Sequence, residues 1–345
     1  MPRARTSQTP VLSQTQPAAA LPGAEITLIG SALGATATQT PTAVLDGHSA
    51  DLVYSRQNRL AVRLPEQART GLIEVQRDGE RSNPIPVIVG RQLSDGLHPV
   101  TSPVVSRSGM IYTTISGPRG KQTPVSIVRI SPDGEGTPFV SGILNPTGLA
   151  IHPDGDLYVS SRAEGTIYRI DAGGDAVPYA DGMGVATGIA FDAAGNLFVG
   201  DRSGTIFKIA PGHTDRDRQI FVFATIEPSV AAYHLAVGPD GTLYVTAPTL
   251  ASHDAIWAID QDGAVSPWYR GLGRPQGLAV DAESNVYVTA SLHGQRGLIR
   301  IDAEGQAERV IAAENVVGVA FSPLGSTILT THNAVYEVEF AVQGL

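Results

Sequence analysis

The stretch Thr147-Gly148-Leu149-Ala150-Ile151-His152-Pro153-Asp154-Gly155-Asp156-Leu157-Tyr158-Val159 decides the fold, because the chain writes it again and again. Thr187-Gly188-Ile189-Ala190-Phe191-Asp192 through Leu197-Phe198-Val199 is a close copy, and Tyr233-His234-Leu235-Ala236-Val237 through Leu243-Tyr244-Val245 is another. Gln276-Gly277-Leu278-Ala279-Val280 through Val286-Tyr287-Val288 follows. Worn copies run from Ser102-Pro103-Val104-Val105 to Ile111-Tyr112-Thr113 and from Val317-Gly318-Val319-Ala320-Phe321 to Thr327-Ile328-Leu329. The second position of each unit is Ser102, Gly148, Gly188, His234, Gly277 and Gly318, at spacings of 46, 40, 46, 43 and 41 residues. A period of ~40–50 residues with several short strands per unit marks a β-propeller rather than a helical solenoid.

Each unit has the same internal order. A first strand such as Gly148-Leu149-Ala150-Ile151 leads through a Pro-Asp-Gly or Ala-Ala-Gly turn to a second, Leu157-Tyr158-Val159. A third follows as Thr166-Ile167-Tyr168-Arg169-Ile170, echoed by Thr205-Ile206-Phe207-Lys208-Ile209 and Ala255-Ile256-Trp257-Ala258-Ile259. Outer strands are expected at Pro138-Phe139-Val140, Val177-Pro178-Tyr179, Phe221-Val222-Phe223, Pro267-Trp268-Tyr269 and Arg309-Val310-Ile311. The last unit has none after Val335–Phe340. An open sheet edge invites pairing with other chains, so the segment before the first unit, near Val87 to Leu93, is expected to close the ring.

Ahead of the repeats, residues 1–20 are rich in Ser, Thr, Gln, Pro and Ala without periodicity and read as a flexible lead-in. Residues 21–90 then carry short alternating runs: Glu25–Gly30, Ala50–Tyr54, Arg59–Leu64, Gly71–Gln76 and Pro86–Val89, with a tight-turn signal at Asp78-Gly79. Strands at intervals of about ten residues suit a small β-sandwich. This layout resembles the IPT/TIG immunoglobulin-like domain, through Pro22-Gly23…Gly30, Ala61-Val62-Arg63-Leu64-Pro65, Gly71-Leu72-Ile73-Glu74-Val75 and Ser82-Asn83-Pro84. The expected architecture is therefore all-β: an immunoglobulin-like sandwich over 21–90 and a six-bladed propeller over 91–345. The resemblance implies that the first domain is a spacer or interaction module.

Composition narrows the function classes. The net charge of −9 is uneven: residues 1–90 hold eight basic and seven acidic side chains, leaving 16 and 26 for the repeats. Phosphate-backbone affinity comes from clustered Lys and Arg, so an acidic repeat domain points away from nucleic acid. With no cysteine, disulfides, thiolate catalysis and Cys-based metal sites are excluded. No run reaches the ~20 apolar residues of a membrane-spanning helix. The basic start Met1-Pro2-Arg3-Ala4-Arg5 is followed by a polar stretch, so no signal peptide is recognisable.

The repeat, "G-h-A-h-D-x-x-G-N-L-Y-V…I-x-R-I-D", resembles the NHL repeat and the six-bladed propellers of the senescence-marker protein/gluconolactonase family. In that family the resemblance implies a divalent cation over the channel, held by Glu, Asn and Asp just before the first strands. The equivalent positions here are Thr101, Thr147, Thr187, Tyr233, Gln276 and Val317. None is a carboxylate, and hard cations want anionic oxygen donors, so no metal or other cofactor is expected. Lyase-type NHL proteins imply instead histidines near the channel, and His98 and His234, on opposite sides of a six-bladed ring, are the acid–base candidates. Ser161-Arg162 and Asp201-Arg202, after adjacent second strands, are candidates for a polar pocket. Asp154, Asp192, Asp240 and Asp281 recur with the repeat and read as turn-formers.

The expectation is a binding or scaffold propeller recognising a small polar ligand, a glycan or a protein at the channel mouth. Thr101, Thr147, Thr187, Tyr233 and Gln276 would line it, because hydroxyls, an amide and one ring suit hydrogen bonding and stacking. The alternative is a lactonase- or lyase-type enzyme using His98 and His234 or a relocated divalent cation.

Overall fold

The computed structural model describes residues 8–36, 39–212, 217–249 and 254–344. Regular structure in them is entirely β-strand, and no helix is long and apolar enough to cross a membrane. Two compact units emerge: residues 1–91 with 309–314 and 338–340, and residues 92–308 with 315–337 and 341–345.

In the second unit the repeats fold into a β-propeller arrangement. Five of its sheets stand as separate four-stranded antiparallel sheets. The unit opened above gives Pro146–Ile151, Leu157–Ser161, Thr166–Ile170 and Ala176–Ala180, paired in chain order. Ala186–Phe191, Leu197–Asp201, Thr205–Ala210 and Gln219–Thr225 repeat it. The second strands Leu157–Ser161, Leu197–Asp201, Leu243–Thr246 and Thr327–Thr331 are buried at every residue. They lie between two strands of their own sheet and under the faces of the next, so they read as continuous apolar runs. Val159, Val199, Val245, Val288 and Leu329 recur at one position and are fully buried; each is worth roughly 1.5–3 kcal/mol of burial. Outer strands such as Gln219–Thr225 are largely exposed.

The turn aspartates do what their recurrence implies. Asp192 Oδ1 accepts the Ala194 and Asn196 backbone N–H groups at 3.0 and 2.8 Å, and Asp281 repeats this with Glu283 and Asn285 at 3.0 and 2.8 Å.

Two strands decide how the repeats end. Arg91–Ser94 pairs as the outer strand beside Val335–Val338, followed by Thr327–Thr331 and Val316–Phe321. Leu93 packs on the cluster of Leu97, Ile111, Val128, Ile130, Ile328 and Val335. In the Gln276 repeat, Leu278–Val280, Val286–Leu292 and Gln295–Ile301 pair antiparallel in the usual order. Its expected outer strand lies in Ala307–Ala312, but Ile311 and Ala312 pair in parallel with Ala19 and Ala20 and group with the first unit. That repeat is therefore not a free-standing four-stranded sheet.

The first unit runs Val11–Gln16, Glu25–Ser31, Arg59–Arg63, His48–Arg56, Thr42–Leu45, Gly71–Arg77, Ile85–Val89 and Ala19–Ala20 in hydrogen-bonded order. His48–Arg56 pairs at its start with Thr42–Leu45 and, past a bulge at Leu52/Tyr54, with Arg59–Arg63. Its core holds Ile26, Leu28, Leu60, Val62, Ile73 and Val75, all fully buried. The expected flexible lead-in needs correcting: residues 1–7 lie outside the described residues, but Val11–Gln16 is a strand against Glu25–Ser31. The reason is a side chain posing as backbone. Asn83 Oδ1 accepts the Leu12 N–H and Asn83 Nδ2 donates to the Leu12 carbonyl, both at 2.9 Å, while Leu12 is buried.

Candidate functional site

In an up-and-down antiparallel sheet, successive turns alternate between ends. The second-to-third-strand turns therefore share one end of the propeller with the connections into the first strands, where Thr101, Thr147, Thr187, Tyr233 and Gln276 lie. The structure brings these five together as links of one belt. Thr101 Oγ1 donates to the Thr147 carbonyl at 2.7 Å, and Ser160 Oγ to the Thr187 carbonyl at 2.5 Å. Thr187 Oγ1 accepts the Tyr233 N–H at 3.1 Å, and Thr246 Oγ1 donates to the Gln276 carbonyl at 2.5 Å. Gly277 N–H donates to the Val317 carbonyl at 2.9 Å. Val319 N–H reaches Ser102 Oγ at 3.3 Å, and Thr330 Oγ1 reaches the Thr101 carbonyl at 3.5 Å, which returns the belt to its start.

Thr101, Thr147, Thr187 and Tyr233 are buried, and Gln276 is half-buried. Their polar atoms are engaged within the protein: Thr147 Oγ1 with the Asn145 carbonyl at 3.1 Å, the Tyr233 hydroxyl with the Glu227 carbonyl, and Gln276 Oε1 with Arg296 Nη2 at 2.7 Å. Burial, with Asp201 and Glu227 nearby, pushes the Tyr233 phenol well above its ordinary pKa. The hydroxyl near the end of several second strands, seen in Ser160, Thr246 and Thr330, is the element that sequence reasoning missed; its recurrence directly after Tyr158-Val159, Tyr244-Val245 and Ile328-Leu329 was the available signal.

His234 stands where four other repeats carry glycine. It is 4% exposed, and its Nδ1 has no hydrogen-bond partner. Desolvation alone lowers its pKa from 6.5 to about 4, so the imidazole is neutral near pH 7. His98 is exposed, its carbonyl accepting the Ser116 N–H at 3.2 Å. No hydrogen bond or ion pair joins the two histidines among the described residues.

The burial of His234 has a testable consequence. Its folded pKa lies below the unfolded value, so the unfolded chain binds the proton more readily, and stability is lost as pH falls from above 6.5 towards 4. Between pH 8 and pH 5 this one group should remove about 2 kcal/mol. His234→Gln, which cannot take up the proton, should lose correspondingly less over that interval in urea titrations. Identical pH dependence of the two proteins would remove His234 as the cause.

The same end carries a second group, built by backbone contacts that recur from sheet to sheet. Asn145, buried and at φ 46°, accepts the Gly120 N–H on Oδ1 at 2.7 Å. Its Nδ2 donates to the Gly117 and Pro118 carbonyls, each at 3.0 Å. The turn bearing Arg119 is thereby tied to the start of the next repeat. The Asn145 carbonyl also accepts the Arg162 N–H at 3.3 Å, and the Val185 carbonyl accepts the Arg202 N–H at 3.3 Å. Arg202 Nη2 donates to the Val230 carbonyl at 2.9 Å. Arg162 is half-buried and Arg119 exposed, and among the described residues neither guanidinium has a hydrogen-bond or ion-pair partner. Desolvation, then the like charges of Arg202 and Arg119, hold Arg162 below its ordinary pKa. Two of these arginines follow second strands at equivalent places; Arg119 sits in a longer turn that its sequence did not single out.

At the opposite end a cavity of about 500 Å³ opens between Val105–Arg107, Phe321–Gly325 and the C-terminal Ala341–Gly344. Its cation, Arg107, is occupied by the Pro153 carbonyl at 2.9 Å. The charged run His213-Thr214-Asp215-Arg216-Asp217-Arg218 reads from the sequence as a solvated loop, and its first four residues, like His253, lie outside the described residues.

The divalent cation implied by the gluconolactonase resemblance does not fit the residues present. The six positions before the first strands hold no carboxylate, and no group of three His, Asp or Glu side chains converges among the described residues.

No known family model and no curated protein matches the chain. Solved structures do. One similar structure is a protein of unknown function from Bacteroides thetaiotaomicron, with 14% identity, 98% of this chain and 99% of that one covered, and a TM-score of 0.57. A putative gluconolactonase shares 19% identity over 75% of this chain and 94% of its own, at a TM-score of 0.60. An auxiliary nutrient binding protein from Bacteroides ovatus shares 12% identity over 96% and 98%, at a TM-score of 0.55. At such identities the likeness is one of fold.

Proposed function

We propose that this chain is a binding protein whose propeller takes a small polar ligand at the end carrying the second-to-third-strand turns. One observation carries this reading: Thr101, Thr147, Thr187, Tyr233 and His234 are enclosed within the fold and no hydrogen bond joins His234 to the exposed His98, whereas Arg119 and Arg162 on the turns have no internal partner among the described residues. Thr101, Thr147, Thr187 and Tyr233 link strands, and His234 is walled in as a neutral imidazole with no carboxylate partner among the described residues. Arg119 and Arg162 keep their donors. The similar structure described as a nutrient binding protein, which matches over nearly the whole chain, agrees with this class.

We also read the propeller as six-bladed and the first unit as an IPT/TIG-like sandwich. The sixth blade would be built on Leu278–Val280, Val286–Leu292 and Gln295–Ile301, and the belt supports it by passing through that repeat on its way back to Thr101. The Asn83 clamp on Leu12 gives the Ser82-Asn83-Pro84 motif a structural role in the first unit.

The test is a panel of lactones and esters assayed with calcium, with zinc and with chelator, alongside metal analysis of the purified protein. No turnover above background is expected. Stoichiometric metal with chelator-sensitive turnover would replace the binding reading by the lactonase one.

A further inference from the structure

We infer that the ligand is an anion, a small molecule bearing a carboxylate or phosphate group, held by Arg119 and Arg162 with Arg202 beside them. This deepens the binding reading above and rests on it. The three arginines stand on turns of three successive repeats, at one end of a region where acidic side chains outnumber basic ones by 26 to 16. Like charges gathered against that background repel, and of the three only Arg202 bonds within the fold, through the Ser229 and Val230 carbonyls; the side chains of Arg119 and Arg162 bond nothing among the described residues. Arg162 is half-buried, and no carboxylate among the described residues meets its guanidinium or that of Arg119. A desolvated cation normally finds an internal partner; here the nearby charges are of its own sign.

The positioning is specific. Asn145 makes three side-chain hydrogen bonds to the Arg119 turn and accepts the Arg162 N–H on its carbonyl, so one buried residue sets both. Arg202 is oriented by the Val230 carbonyl, which leaves its charge unneutralised. Guanidinium forks match the paired oxygens of carboxylate and phosphate better than they match a sugar hydroxyl. An incoming anion would relieve the repulsion among the three and supply the missing acceptors together.

The experiment titrates the full chain with citrate, inorganic phosphate and glucose by calorimetry at low ionic strength. Arg162→Gln, Arg119→Gln and, as a control of equal charge change at the other end, Arg107→Gln are treated alike, with tryptophan fluorescence confirming the fold. The expected result is one bound anion per chain, weakened about tenfold or more by Arg162→Gln and by Arg119→Gln, weakened by added salt, and unaltered by Arg107→Gln. Tighter citrate names a carboxylate ligand and tighter phosphate a phosphorylated one. Binding by neither anion, or equal binding by wild type, Arg162→Gln and Arg119→Gln, overturns the inference. Glucose binding without anion binding would overturn it while leaving the binding reading intact, and chelator-sensitive lactone turnover would sink that reading instead.

Discussion

Gly148→Ala is expected to cost about 3 kcal/mol or more of stability, whereas Gly305→Ala should cost only about 1 kcal/mol. The two glycines are present for different physical reasons. Gly305 is in a surface turn at φ 79° with nothing near where a Cβ would go, so only backbone strain opposes the methyl. Gly148 has no such φ; a Cβ there would lie 2.2 Å from the Thr187 carbonyl oxygen and 3.0 Å from the Ile189 nitrogen. Gly188 faces the same problem, with the Tyr233 oxygen at 2.3 Å. These are backbone atoms of the next first strand, which sits inside a ring and cannot retreat without moving its other neighbour. Both tryptophans, Trp257 and Trp268, lie in the repeat unit, so urea unfolding followed by their fluorescence reports on it directly. If Gly148→Ala proves no worse than Gly305→Ala, the first strands are not packed as closely as described.

That close approach was the most legible feature of the chain. Glycine at the second position of four units, followed by alternating apolar residues, announced first strands, and the Tyr-Val pairs announced buried second ones. The lead-in was misread because composition outweighed pattern: Ser, Thr, Gln and Pro around Leu12 look unstructured, and nothing nearby in sequence shows that Asn83 will hold it. The outer strand of the Gln276 repeat was placed correctly along the chain, but its partner Ala19–Ala20 lies almost 300 residues earlier and carries no pattern of its own.

The site was legible in position and much less so in role. Thr101, Thr147 and Thr187 did gather, but a threonine hydroxyl in a sequence does not say whether it will face a ligand or a neighbouring carbonyl. The recurring hydroxyls of Ser160, Thr246 and Thr330 could have shown that this level of the propeller is spent on strand-to-strand hydrogen bonding. The arginine group shows the converse. Arg162 and Arg202 stand out by repetition, while Arg119 joins them only because Asn145 folds its turn back towards the second repeat.

Replacing Gln92, Leu93 and Ser94 together by glycine should cost about 4 kcal/mol and raise the unfolding rate, and should cost more than the same replacement of Val177, Pro178 and Tyr179. Both triplets lie in outer strands and both replacements give up ladder hydrogen bonds worth about 1 kcal/mol each and add glycine entropy of about 0.5–1 kcal/mol per residue. They differ in what the strand does. Ala176–Ala180 ends a sheet whose other three strands precede it directly, so loosening it leaves the belt untouched. Arg91–Ser94 comes from the opposite end of the repeat unit to pair with Val335–Val338. Leu93 is packed against a buried cluster that includes Ile111 and Ile130 of the first sheet and Ile328 and Val335 of the last, and Gln92 Oε1 accepts the Tyr336 hydroxyl at 3.1 Å. Without this strand, the first and last sheets keep the apolar cluster of Ile111, Ile130, Ile328 and Val335, the Leu97 N–H bond to the Asn333 carbonyl at 3.0 Å, and the contacts of Ser102 and Thr101 with Val319 and Thr330, two of the longer links in the belt at 3.3 and 3.5 Å. A ring held at its weakest joint unfolds from there, and the freed edge of Val335–Val338 becomes available to other chains. Aggregation on partial denaturation should therefore accompany the loss of stability in the first variant and be absent from the second. Equal cost and equal aggregation in the two would mean that the closing strand is an ordinary outer strand and that the ring is secured elsewhere.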